Sequence, residues 1–258
     1  MKHVKNIVII GAGNVGTRLA CALNDAGCNI VQIAGRRSIA VETLAKTLDT
    51  DFTLSLAKII KGQDLYILAL PDNAMEEVLG ELDLTDELLV HTSGSVPMEI
   101  LIPFSENVGV FYPLQTFTRN REIDLKVVPF LVEANRIDTE DSLVGLGKML
   151  SANVNVADSE KRLQMHVAAV FASNFSNHMY DIAREIMQDN GFDFDLLVPL
   201  ITETAAKAVE MGPDNSQTGP ALRKDMEIIA KHLELLKNKP AARELYDRIS
   251  KNIIDQTH

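Results

Sequence analysis

The chain has 258 residues, a formal net charge of −11 and 46% hydrophobic residues. That composition suits one large or two modest globular domains and speaks against a broad basic nucleic-acid surface, leaving room only for a local basic pocket. No apolar run approaches the roughly 18 residues of a membrane span, Met1 to Lys5 lacks the apolar core of a signal peptide, and Cys21 and Cys28 have neither metal nor C-x-x-C spacing. The expectation is a cytoplasmic protein with reduced thiols, no metal, no membrane contact and no nucleic-acid partner.

Ile7-Val8-Ile9-Ile10 is a short apolar run, and it meets Gly11-Ala12-Gly13-Asn14-Val15-Gly16, a G-x-G-x-x-G spacing. Thr17 to Ala26 follows as an amphipathic segment. Strand, tight turn and helix in that succession predict a dinucleotide site. Gly11 permits the sharp turn, Gly13 lets a pyrophosphate approach the backbone, and Gly16 lets the helix pack against the strand. The free N–H groups at the start of the helix then face the phosphates, so residues 11–16 form the predicted cradle.

Asn29 to Ala34 reads as the second strand, rich in β-branched residues and ending at Gly35. An NAD-specific site places an acidic residue just beyond such a strand, on the ribose 2′-hydroxyl. This chain has Arg36-Arg37-Ser38 instead. Two guanidiniums and a hydroxyl suit a 2′-phosphate, so the predicted cofactor is NADP. The plainer alternative is a pair of solvated charges at a helix start.

Ala40 to Thr47 reads as a helix, Asp51 to Thr53 as a short strand, Leu54 to Ile60 as a helix, and Leu65 to Leu70 as a buried strand. Ala74 to Leu82 is the next predicted helix. Ligands lie at the carboxyl ends of parallel strands, which places Leu70, Pro71 and Asp72 along the cofactor; Asp72 or Asn73 equally suits a helix cap. Leu88 to His91 is a strand ending in Thr92-Ser93-Gly94-Ser95, and Pro97 opens a further helix. Ser93 thus sits where nicotinamide or substrate would be, or serves as turn chemistry. Val108 to Pro113 is a sixth strand, and Leu114-Gln115-Thr116-Phe117 is a loop able to close over the site. Val127 to Val132 is a strand whose Pro129 suggests an edge or a bulge. Thr139 to Leu150 is a helix, and Asn153 to Val156 a last short strand.

Beyond Asp158 only helices are predicted: a long one to Asn190, then Leu196 to Met211, Pro220 to Lys237 and Ala241 to Ile254. The expected architecture is therefore α/β, a doubly wound and mostly parallel sheet over residues 1–153, followed by an all-helical domain over 154–258. At 100° per residue, His166, Ser173 and Asn177 fall within about 40° of one another on the long helix, with Asn174 flanking them. Their neighbours Val167 to Ala172 are apolar, so the stripe is expected to be buried, with its polar groups either holding a substrate or forming a structural or dimer-seam network. His166 is the natural proton donor because imidazole titrates near neutral pH. Arg223, after Thr218-Gly219-Pro220, can clamp a substrate carboxylate or pair with Glu227 one turn on.

Gly11 to Gly16, His91-Thr92-Ser93-Gly94-Ser95, Pro113 to Phe117, His166 with Ala172-Ser173-Asn174, and Thr218-Gly219-Pro220 with Arg223 and Asp225 together resemble a known grouping. It is that of NADP-dependent oxidoreductases related to pyrroline-5-carboxylate reductase and the 6-phosphogluconate and β-hydroxyacid dehydrogenases. The chain resembles most closely the bacterial Rossmann-like oxidoreductases with a C-terminal helical domain of unknown function. There a histidine usually precedes the Pro-Leu-Gln segment, where this chain has Tyr112. The resemblance implies a homodimer formed through the helical half. The expected function is NADP-dependent reduction of a small C=O or C=N substrate, with His166 as acid, Asn174 and Ser93 orienting the substrate and Arg223 anchoring it. The alternatives are a non-catalytic NADP-binding redox sensor and a prephenate-type dehydrogenase.

Overall fold

A computed structural model describes residues 4–118 and 121–256. The chain divides into two compact units, Met1–Asn174 and Phe175–His258. In the first, the described residues form eight strands: β1 (Asn6–Ile10), β2 (Asn29–Ala34), β3 (Asp51–Thr53), β4 (Leu65–Leu68), β5 (Leu88–His91), β6 (Asn107–Pro113), β7 (Phe130–Ala134) and β8 (Val154–Val156). They make one sheet in the order β3-β2-β1-β4-β5-β6-β7-β8, parallel throughout except between β6 and β7. The order reverses direction between β1 and β4, which makes the end of β1 the switch point at which a doubly wound sheet opens a crevice.

The apolar run that defines β1 is buried on both faces. Ile7 and Ile9 pack with Leu19 and Leu23 of helix α1 (Asn14–Asp25), with Val41 and Leu44 of α2 (Ser38–Leu48), and in the same core with Leu143 and Leu146. Val8 and Ile10 face Met75, Val78 and Leu79 of α3 (Met75–Leu79). Helix α4 (Ile137–Leu150), which carries Leu143 and Leu146, covers the β6–β7 side. An unbroken apolar strand, rather than an alternating one, is what two covered faces require.

Several expected elements differ. Leu54 to Ile60 forms only a 3-10 turn at Leu56–Lys58. The amides that would continue a helix are taken elsewhere: Ser55 N donates to Thr53 Oγ1 at 3.1 Å, and Ile60 N to the buried Gln32 side chain at 3.0 Å. Ala74 to Leu82 shortens to α3, preceded by a 3-10 turn at Asp72–Ala74. The segment after Pro97 is a 3-10 turn, Met98–Leu101. Pro129 makes neither an edge nor a bulge. It stands just before β7, an interior strand, which begins at Phe130 because proline lacks the ladder N–H.

The long helix is α5 (Ser159–Ala169), a π-helical turn (Val170–Phe175) and α6 (Ser176–Asp189) in succession. The second unit adds α7 (Val198–Met211), α8 (Pro213–Ser216), α9 (Met226–Leu235) and α10 (Pro240–Gln256). The helix expected from Pro220 starts instead at Met226. Lys224 adopts φ 53°, which ends the preceding turn, and the Asp225 carboxylate caps α9 by accepting from Ile228 N at 3.2 Å. No helix among the described residues is long and apolar enough to cross a membrane. Among the described residues, no group of three or more His, Cys, Asp or Glu is placed to hold a metal.

Candidate active site

The carboxyl ends of β1, β4, β5 and β6 open into one cleft of about 830 Å³, lined by residues of the first unit. Gly11 leaves β1 with φ 111°, and a Cβ there would collide with the Ala69 carbonyl oxygen. A Cβ on Gly16 would collide with the Gly11 carbonyl oxygen, so the glycine brings α1 against the strand end. Around Gly13 the space is open: a Cβ would meet nothing within 4 Å. The amides at the start of α1 have no acceptor within the helix. Asn14 donates from Nδ2 to the Phe117 carbonyl at 2.8 Å, which ties the loop after β6 to the glycine turn.

At the ends of β4 and β5 a short network joins three side chains. Ser93 Oγ accepts from the Ser95 and Val96 amides at 3.1 and 3.0 Å, and Ser95 Oγ donates to the Asp72 carboxylate. Ser93 N donates to His91 Nδ1 at 3.1 Å. His91 is fully buried, and its pKa falls from 6.5 to about 4, first because burial disfavours the imidazolium and second because Arg162 is nearby.

His166 lies beside Tyr112, with His166 Nδ1 3.0 Å from the Tyr112 hydroxyl and the rings edge to face at 70°. Burial raises the Tyr112 pKa, so the phenol keeps its proton, and the hydroxyl can donate to Nδ1 or accept from it according to the imidazole tautomer. Where the phenol donates, the imidazole proton sits on Nε2. Gly94 makes the approach possible: a Cβ there would lie 2.6 Å from His166 Nδ1 and 2.8 Å from Tyr112 Cζ.

The helix that carries His166 is pinned at its start. Asp158 caps it by accepting from Lys161 N at 2.8 Å. Arg162, 1% exposed, forms an ion pair with Glu133 of β7 and donates from Nη2 to the Val96 carbonyl at 2.6 Å. Ser159 donates to Glu133 from both its amide and its hydroxyl. One guanidinium therefore joins the helix, the sheet and the Ser93–Val96 turn.

The cleft brings together Gly13, Asn14, Val15, Leu70, Pro71, Asp72, Ser93, His166 and Asn174. Gly11, Ala12 and Gly16 shape the turn behind it. Arg36, Arg37 and Ser38 lie beyond its lining, at the end of β2 and the start of α2. Arg36 is paired with Glu77 at 2.9 Å and Glu81 at 2.6 Å. Asn177 and Arg223 belong to the second unit. Asn177 lines a separate hollow there with His178, and Glu227 pairs with Lys231. The apolar neighbours of the stripe, expected to be buried, are partly exposed, with Val167 at 51% and Phe171 at 64%.

Tyr112, His91, Glu133 and Arg162 were not anticipated as site residues. Glu133 carried a signal, a charge directly after the apolar run Phe130-Leu131-Val132. The π turn shifts the helix phase, so a 100° count no longer holds beyond Val170.

Two family profiles match the sequence: a Rossmann-like domain over residues 2–115 and a domain of unknown function, DUF2520, over residues 128–253. A Bacteroides fragilis protein, described as a candidate NADP oxidoreductase, is 41% identical, with 98% of each chain covered and a TM-score of 0.93. The chain belongs to the Rossmann-like family with a DUF2520 domain. More distant structures share the family's fold. A 1-pyrroline-5-carboxylate reductase from Streptococcus pyogenes is 15% identical over 97% of this chain and 98% of its own, with a TM-score of 0.63. An imine reductase from Myxococcus stipitatus, in complex with NADP+, is 15% identical over 97% and 93%, with a TM-score of 0.67. Comparison with curated proteins gives no match.

Proposed function

We propose that this protein is an NADPH-dependent reductase of a small C=O or C=N compound. The observation that carries the reading is the single cleft that joins the glycine turn to the Tyr112–His166 pair. The residues present fit the coenzyme. Gly13 faces open space, the first amides of α1 are unpaired within the helix, and residues 36–38 hold no carboxylate to repel a 2′-phosphate. Similarity to the Bacteroides protein, and the NADP+ bound to the imine reductase, support the same cofactor.

When bound, the coenzyme supplies the hydride. The chain's own residues position and protonate. As His166 Nε2 gives its proton to the oxygen or nitrogen of the reduced substrate, Nδ1 takes the proton of the Tyr112 hydroxyl, so the pair acts as one relay and the negative charge ends on the phenolate. Asn174 and Ser93 line the cleft as orienting groups, although the Ser93 hydroxyl also holds its own turn. Arg223, in the second unit, is the proposed anchor for a substrate carboxylate. The exposed apolar side chains of the second unit, Leu200 at 63%, Val209 at 89% and Leu235 at 81%, support a homodimer through the helical half, which light scattering checks. Free Cys21 and Cys28 support a reducing, cytoplasmic setting.

The test is His166→Asn, with single-turnover oxidation of bound NADPH by a panel of imines, 2-keto acids and aldehydes. Turnover falls about 100-fold or more while NADPH affinity stays within about twofold. Unchanged turnover removes His166 from the mechanism.

A further inference from the structure

In the sheet, β2 and β4 flank β1. Arg36 follows β2, while Glu77 and Glu81 lie on and just after α3, which follows β4. The Arg36–Glu77 and Arg36–Glu81 pairs therefore cross the carboxyl end of β1, where the glycine turn begins. Gly35, next to Arg36, abuts that turn: a Cβ on it would lie 3.8 Å from the Gly11 backbone.

The three side chains are 46%, 65% and 52% exposed, so the pairs add little to stability. Their effect on an arriving anion is larger. One guanidinium with two carboxylates sums to a charge of −1. Any group that approaches Arg36 comes within a screening length of both carboxylates, about 8 Å at physiological salt. Arg37, by contrast, is exposed at the start of α2 beside Ser38, and among the described residues no carboxylate pairs with it.

We propose that Glu77 and Glu81 set the coenzyme preference of this site by withholding Arg36, so that Arg37 and Ser38 are the standing anchors for a 2′-phosphate. The inference rests on the NADPH reading above. A phosphate must compete with two carboxylates for Arg36, and it meets their surplus negative charge while doing so. NADH, with a neutral 2′-hydroxyl, is nearly indifferent to that charge. The carboxylates thus narrow the discrimination that two arginines would otherwise give.

Fluorescence titration of wild type and Glu77→Gln/Glu81→Gln with NADPH and with NADH tests this. The double variant should bind NADPH about three- to tenfold more tightly, with NADH affinity changed by less than about twofold. Adding Arg36→Ala to the double variant should return NADPH affinity to the wild-type level, and Arg37→Ala alone should abolish the preference. An unchanged NADPH-to-NADH ratio in the double variant overturns this inference alone. Absence of binding of either coenzyme to the wild type overturns the NADPH reading and the inference with it.

Discussion

Replacing Glu133 with glutamine removes one charge of a buried pair and leaves the other in place. Arg162 is 1% exposed, and its Nε has no hydrogen-bond partner among the described residues, so the guanidinium depends on Glu133, the Val96 carbonyl and the Ser159 hydroxyl. Breaking a buried pair from one side costs about 3–5 kcal/mol, most of it the desolvated charge left behind. For a unit of this size that is a fall of about 6–20 °C in Tm, at roughly 2–4 °C per kcal/mol. Thermal and urea unfolding followed by circular dichroism measure it. The paired replacement Glu133→Leu/Arg162→Met leaves no buried charge and should cost less than the single change. A Glu133→Gln protein within about 1 kcal/mol of wild type would contradict the reasoning, because it would mean that Arg162 is solvated. The consequence reaches the site: Arg162 joins the helix that carries His166 to the turn that carries Ser93 and Gly94.

Two other outcomes follow from the same geometry. His91 is buried and neutral in the folded state, with a pKa near 4, whereas the unfolded chain takes up a proton near pH 6.5. Stability linked to His91 is therefore present above about pH 6.5 and lost as pH falls toward 4, by about 2 kcal/mol between pH 7 and pH 5. His91→Gln should flatten that window in urea melts at the two pH values, and an equally steep dependence in the variant would assign it elsewhere. Gly94→Ala should force His166 and Tyr112 apart and lower turnover about 100-fold, with coenzyme affinity nearly unchanged; wild-type turnover would show that their contact is not used.

The sheet was legible because its signals are local. Ile7 to Ile10, Asn29 to Ala34 and Leu88 to His91 carry strand character in their own residues, and the glycine spacing fixes the turn after the first of them. The short 3-10 turns were not legible, since what prevents a helix at Leu54 to Ile60 is Gln32, a side chain far away in sequence. The site was legible in part. His166 stands out as a histidine on an apolar helix, but its partner Tyr112 lies 54 positions earlier, and only the strand pairing and Gly94 bring the two rings together. The 100° count loses its phase before Asn177 because a π turn intervenes, a feature that residue type does not announce. Arg36 looks like a free cation in the sequence because its two carboxylates, Glu77 on α3 and Glu81 just after it, come from about 40 residues on.

The central claim is that the glycine turn and the start of α1 cradle the diphosphate of NADPH. Isothermal titration calorimetry of the purified, folded protein with NADPH, NADP+ and NADH tests it most directly. Saturable binding of one coenzyme per chain is the expected result, with the phosphorylated forms tighter than NADH and the binding lost in Gly13→Asp. No heat of association with any of the three, from a protein shown to be folded, would contradict it.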